Sequence, residues 1–255
     1  MADRLNSKVC LVTGGTSGIG KACVEAFVRE GAKVAFVGRR EEKGKDLEER
    51  FLNEGKEVFF IKGDLTKVED CRNVVKFCIE KFGTIDVLLN NAGSGTFFQF
   101  DKMDLQKDYE DVFNLNIRAY FILCQEALAH MKVQMKGNII NVASIGAITG
   151  MPMQASYAAS KGAVVQLTRT IAVEYAKKGI RANTISPGLT ITEMVPSGSD
   201  VEKLLQSIVP GENSGSAEGV ANAAVYLASD ETPFMSGANL VIDGAVTCGP
   251  CAPVY

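Results

Sequence analysis

Seven short β-branched runs alternate with longer segments of helical period from one end of the chain to the other, and this alternation restricts the possible folds more than any other feature. The runs are residues 8–13, 33–37, 57–61, 85–90, 138–144, 181–186 and 239–243. Several, such as 87–89 and 139–140, are continuously apolar rather than alternating, which marks strands covered on both faces. The segments 18–29, 41–53, 68–82, 105–135, 156–178 and 217–228 have helical spacing, and Gly31, Gly55, Gly83, Gly137 and Gly179 stop five of them. Such a series predicts an α/β fold, doubly wound, with a seven-stranded, mostly parallel sheet and helices on both faces. Folds of this kind bind ligands outside the carboxyl ends of their strands. At 255 residues and 46% hydrophobic the chain can build a sizeable core. No linker or repeat interrupts it, so residues 1–255 are expected to form one domain. The soft stretches 93–96 and 197–216 read as active-site loops.

Charge narrows the function classes. With 27 Lys+Arg against 30 Asp+Glu, the chain has a formal charge of −3 and no electrostatic footprint for nucleic acid or an anionic membrane surface. No apolar stretch approaches the length of a membrane span, and Met1-Ala2-Asp3-Arg4-Leu5 is followed by no apolar run of the secretory type. A cytoplasmic location is expected. The seven cysteines, Cys10, Cys23, Cys71, Cys78, Cys124, Cys248 and Cys251, suit buried thiols in a reducing compartment. Cys248-Gly-Pro-Cys251 spells a thioredoxin-type redox string, but that chemistry needs a helix start to lower a thiol pKa. A tail packed on the body or on a neighbouring subunit is the competing reading.

The first run leads directly into Thr13-Gly14-Gly15-Thr16-Ser17-Gly18-Ile19-Gly20 and then a helix. Glycines there let a backbone approach a pyrophosphate and seat it on a helix N-terminus. Gly15-x4-Gly20-Lys21 nearly forms the phosphate loop of nucleotide hydrolases, but Ala22 stands where Ser or Thr would hold magnesium. A dinucleotide turn is the better reading, although Gly14-x3-Gly18-x-Gly20 departs from the usual G-x-G-x-x-G. A plain strand-to-helix turn is the remaining alternative. The second run ends in Gly38-Arg39-Arg40, where NAD-binding chains place a carboxylate for the ribose 2′-hydroxyl. Guanidinium groups suit a 2′-phosphate, so NADP is expected. Otherwise Arg39 and Arg40 are helix-entry charges pairing with Glu41 or Glu42.

Tyr157 and Lys161 stand four apart in a helical segment and so share a face. An ammonium beside a phenol favours phenolate, which would bring the Tyr157 pKa toward neutrality. Ser144 ends the strand before them, at the carboxyl edge of the sheet. His130 is the only histidine, which leaves little for a zinc site or a Ser-His-Asp triad, and no metal is expected.

With these motifs assembled, the chain resembles the short-chain dehydrogenase/reductase family, which has a Rossmann fold, over essentially its whole length. Thr13-Gly14-x3-Gly18-x-Gly20 looks like that family's cofactor turn, with Thr16, Ser17 and Ile19 inside it. Asn90-Asn91-Ala92-Gly93 looks like its strand-four motif, and Ser144 with Tyr157-x3-Lys161 like its active site. Asn116 matches its fourth catalytic position, Asp64, with Leu65 beside it, the adenine contact, and Pro187-Gly188 with Thr190 and Thr192 the segment over nicotinamide and pyrophosphate.

The resemblance implies hydride transfer between NADP(H) and a carbonyl or secondary alcohol, and because cytosolic NADP pools are largely reduced, reduction is the expected working direction. Tyr157 would move the proton, Ser144 would bind the substrate oxygen, Lys161 would bind the ribose, and Asn116 would hold a water that passes protons to Lys161. It also implies a homotetramer built through 105–135 and 156–178. The whole chain would then be one dinucleotide-binding and catalytic domain with a substrate loop at about 189–216. Phe97, Phe98, Phe100, Ile145, Ile148, Met151, Met153, Met194 and Val195 suggest an apolar pocket suited to a cyclic or steroid-like ketone. A 3-oxoacyl carrier-protein reductase is the alternative, though Val173-Glu174 stands where such members often have Arg-Glu. A catalytically idle NADP-binding sensor or scaffold is the other, and four filled catalytic positions argue against it.

Overall fold

The computed structural model describes residues 3–193, 195, 197–198, 202–203, 206–207, 209–210 and 214–249. Seven strands form one sheet: β1 (Val9–Thr13), β2 (Lys33–Gly38), β3 (Val58–Lys62), β4 (Val87–Asn90), β5 (Gly137–Val142), β6 (Ile180–Pro187) and, after the short pair below, β9 (Asn239–Ile242). Their order is β3-β2-β1-β4-β5-β6-β9, and every neighbouring pair is parallel. The short strands β7 (Thr190–Ile191) and β8 (Gly215–Ser216) pair parallel in a second sheet.

The sheet is apolar throughout because both faces are covered. Cys10 and Val12 of β1, with Val34 and Phe36 of β2, pack on α1 (Gly18–Arg29) and α2 (Glu41–Asn53). The intervening Val9, Leu11, Ala35 and Val37 pack on α3 (Val68–Phe82) and on α4 (Ala119–Gln134). Phe27 of α1 and Phe36 are wholly buried, each contributing on the order of 2–3 kcal/mol of apolar burial. Strand β1 pairs with β2 on one side and β4 on the other, so the strand order reverses there. The crevice at such a switch point is where an open α/β sheet receives its ligand.

Helices α1, α2 and α3, and α6 (Ala217–Ala228), have the boundaries that the spacing predicts. The expected helix 105–135 is continuous in direction but not in register. Its turns Leu105–Glu110 and Asn114–Arg118 are π-helical around the single α-turn Asp111–Phe113, and α4 follows. Asp104 opens it by accepting from the backbone N–H groups of Gln106 and Lys107, while Asp108 accepts from that of Asp104. The π turns widen the helix around Asn116, as is frequent at functional sites.

Helix α5 (Ala155–Tyr175) is tied to the sheet by a buried polar ladder. Asn90 and Asn141, register partners in β4 and β5, are joined by an Nδ2–Oδ1 hydrogen bond of 2.9 Å. Asn141 Nδ2 donates to Thr168 Oγ1 at 2.9 Å, and Thr168 donates to the carbonyl of Val164. Thr168 lies two helical turns beyond Lys161 on α5, so the ladder fixes the face that carries Lys161. No helix among the described residues is long and apolar enough to cross a membrane.

Candidate active site

One cleft of about 610 Å³ runs along the carboxyl ends of the strands, from the turn after β1 to Lys161 on α5. At its first end Gly14 has φ +68°, and a side chain there would meet Asn91 and the backbone of Ala92. Gly20 is tighter: a Cβ would stand 2.2 Å from the Gly14 carbonyl oxygen. The turn is also pinned to the end of β4. Thr13 Oγ1 accepts from the N–H groups of Asn91 and Ala92, and Asn91 Nδ2 donates to the Thr13 carbonyl. Helix α1 then begins at Ser17 with no side-chain cap and no acidic residue in its first turn. Its leading N–H groups therefore face the cleft as an anion seat, and the cradle fits a dinucleotide pyrophosphate.

The rest of the expected cofactor set lines the same cleft: Thr16, Gly18 and Ile19, then Arg39, Arg40, Asp64, Leu65, Asn91, Ala92 and Gly93, and finally Pro187, Gly188, Thr190 and Thr192. Arg39 is exposed at the end of β2; burial pushes the Asp64 carboxyl up, but hydrogen bonds from Thr66, with lesser help from the charges of Arg39 and Lys67, hold it below its usual range. Arg40 pairs neither with Glu41 nor with Glu42. Its guanidinium reaches Glu193 and also contacts Thr16 Oγ1 at 3.4 Å, and Lys43 Nζ binds the same Glu193 carboxylate at 2.7 Å.

At the other end, Ser144 caps a short 3₁₀ turn, Ile145–Ala147, and its Oγ accepts from the Gly146 N–H at 3.1 Å. The Ser144 hydroxyl stands near enough to Tyr157 to act on its pKa. Lys161 is buried and donates to the Val142 carbonyl at 2.8 Å. The bare face of Gly93 leaves room between them all: a Cβ there would lie 3.2 Å from Asn116 Oδ1 and 3.3 Å from Lys161 Nζ. Asn116 is wholly buried, accepting from the Ser94 N–H and donating to the Ser94 carbonyl and to Ser160 Oγ. The sequence predicts a lowered Tyr157 pKa, and the structure corrects that sign. Burial pushes the phenol above its ordinary value, with the nearby Ser144 hydroxyl opposing. Lys161 does not counter this, because burial also pulls its own pKa down to about 8.

The substrate end is lined by Phe97, Ile145, Met151, Leu189, Val195, Val209 and Val246. Four side chains expected in the pocket are not there. Phe98, Phe100, Ile148 and Met153 lie on the surface, Phe100 with 78% of its area exposed in a single 3₁₀ turn. Met194, parts of 197–216 and Cys251 lie outside the described residues, and Cys248 is exposed. Gly95 lies in the loop 93–96 that the sequence assigns to the site, and Val246 lies outside every segment so assigned. A Cβ on Gly95 would touch the Tyr157 ring at 3.0 Å, whereas Val246 arrives from beyond β9 and has no local signal.

The chain matches the family model described as short chain dehydrogenase over residues 8–203. It is 35% identical over 262 residues to the xanthoxin dehydrogenase of Arabidopsis thaliana, covering 97% of this chain and 92% of that protein. It is 34% identical over 254 residues to the zerumbone synthase of Zingiber zerumbet, covering 94% and 95%. Among solved structures, a blue fluorescent protein from a metagenomic library, in complex with NADPH, superposes with a TM-score of 0.90 at 32% identity over 95% of this chain and 99% of that one.

Proposed function

The chain belongs to the short-chain dehydrogenase family of oxidoreductases, which bind a nicotinamide cofactor, and from that premise we propose an NADP(H)-dependent enzyme that interconverts an apolar, cyclic or steroid-like ketone and its alcohol. One observation carries the reading: a single cleft is lined at one end by the glycine turn and Arg39 and at the other by Ser144, Tyr157 and Lys161. When bound, the nicotinamide supplies or accepts the hydride.

Everything else falls to the chain's own side chains. Gly14, Thr16, Ser17, Gly18, Ile19 and Gly20 seat the pyrophosphate on α1, and Arg39 with Arg40 takes the 2′-phosphate. Asp64 and Leu65 border the adenine, while Asn91, Ala92, Gly93, Pro187, Gly188, Thr190 and Thr192 close around the remaining length. Ser144 holds the substrate oxygen, and Tyr157 gives it a proton in reduction or takes one in oxidation. Lys161 binds the ribose hydroxyls, and Asn116 orients the proton path to Lys161. The solved NADPH complex of a structural neighbour supports the cofactor choice. The apolar lining supports the substrate class, because a hydroxyl-rich substrate would need buried polar partners that this end of the cleft hardly offers.

The whole chain serves as one cofactor-binding and catalytic domain, with 189–216 as its substrate loop, in a cytoplasmic homotetramer. A single 27.3 kDa particle in light scattering would overturn the assembly. The function is tested by a ketone panel with NADPH, followed at the nicotinamide absorbance band. Cyclic ketones are expected to exceed keto-sugars by at least about tenfold, roughly 1.4 kcal/mol of transition-state discrimination. Best turnover on a keto-sugar would sink the pocket reading.

A further inference from the structure

A buried ammonium with no carboxylate beside it needs another source of negative potential, and among the described residues Lys161 is such a group. Its side chain is almost wholly buried, and burial is the one influence that displaces its pKa, downward. The groups facing it are few. From β5 comes the Val142 carbonyl at 2.8 Å, with Ser144 beyond, and from α5 comes Tyr157, its ring centroid 5.8 Å from Nζ. From the π turn comes the Asn116 amide, near the same bare face of Gly93. From α4 comes Tyr120, its ring centroid 5.5 Å from Nζ, with Cys124 behind it. Burial raises both tyrosines and pushes the Cys124 thiol up to about 12, so all three stay neutral in the physiological range.

Tyr120 is held rigidly for this contact. It is wholly buried, and its hydroxyl donates at 3.3 Å to the same Val142 carbonyl that accepts from Lys161. Ring, carbonyl and ammonium thus form a closed triangle between α4, β5 and α5. The face of a neutral aromatic ring carries negative potential, and its pull on a cation within about 6 Å is strongest where water is excluded.

We propose that Tyr120 is a positioning residue for Lys161, its ring face keeping the buried ammonium charged and seated where the cleft needs it. The proposal rests on Lys161 having the catalytic role given above, and it adds a residue that makes no contact with substrate.

The test reads the charge of Lys161 directly. Protein carrying lysine labelled with ¹³C at Cε gives the Lys161 titration midpoint by NMR, assigned with Lys161→Met and requiring no turnover. Tyr120→Phe is the reference, and 3,4,5-trifluorophenylalanine at position 120 keeps the shape of that ring while cancelling its negative face. The midpoint is expected to fall by roughly half to one and a half pH units between the two. The basic limb of the kcat profile is expected to move down with it. Equal midpoints would overturn the proposal. If Lys161→Met keeps full turnover, the catalytic assignment of Lys161 fails instead, and the titration still decides the role of the ring.

Discussion

Arg40 and Glu193 form an ion pair across the mouth of the cleft, joining the turn after β2 to the segment after β7. Both side chains are about half exposed, so the pair adds little to stability. Its importance is local, because it gives Arg40 an anionic partner before any phosphate arrives. Among the described residues Arg39 makes no salt bridge, and its charge is felt by Asp64.

On the proposed function the two arginines would therefore meet a 2′-phosphate differently. Arg39→Asp should reverse the preference for NADPH over NADH in kcat/KM. A charge-assisted bond to phosphate is worth roughly 1.5–3 kcal/mol, or about ten- to hundredfold. Equal use of NADH by the unaltered protein would refute the role of Arg39.

Glu193→Gln should tighten NADPH binding several-fold and leave NADH binding unchanged, since Arg40 and Lys43 would then face only the 2′-phosphate. Calorimetric titration with both cofactors checks it. Hydrogen bonds from Arg40 and Lys43 hold the Glu193 carboxyl down at about 2, so the competition should persist unchanged across neutral pH. A parallel gain for NADH would indicate a general loosening of the cleft.

Tyr157→Phe should lower turnover by at least about a hundredfold, the usual reach of a positioned proton donor, while NADPH affinity stays within a few-fold. Steady-state kinetics beside fluorescence titration separates the two effects. Undiminished turnover would remove Tyr157 from its role.

Burial of Lys161 also predicts a pH dependence of stability. The folded-state pKa of about 8 lies below the ordinary 10.5, so between these values the unfolded chain holds the extra proton. Stability from this group rises with pH through that window, and the full cost of burying the charge is felt below it. The unfolding free energy of the native protein minus that of Lys161→Met should climb by about 3 kcal/mol between about pH 7 and pH 11. Urea unfolding at the two pH values measures it, and a flat difference would mean that Lys161 titrates near its ordinary value.

Much of this architecture is legible in the sequence because its signals are local. Strand 87–90 and helix 41–53 announce themselves by continuous apolarity and by flanking glycines or charges, and the glycine turn carries its own reason for each missing side chain. What escapes is set by tertiary approach. Periodicity does not separate an α from a π turn over five or six residues, so the widening around Asn116 is silent. An apolar residue in a loop is equally consistent with a pocket wall and with the surface, which is why Phe100 and Ile148 read as lining. The reach of Glu193 to Arg40, and the Tyr120 ring beside Lys161, join positions far apart along the chain.

The pairing of β7 with β8 fixes Thr190 beside Gly215 and Ile191 beside Ser216, so the two ends of the intervening segment are held at adjacent points. Closing a loop costs entropy that grows only slowly with length. A segment anchored in this way can be lengthened, shortened or exchanged with little effect on the seven-stranded sheet. Substrate preference then becomes an interchangeable cassette: a graft between Val195 and Gly215 could redirect the enzyme while Thr192 and Glu193 keep their places at the cofactor end of the cleft.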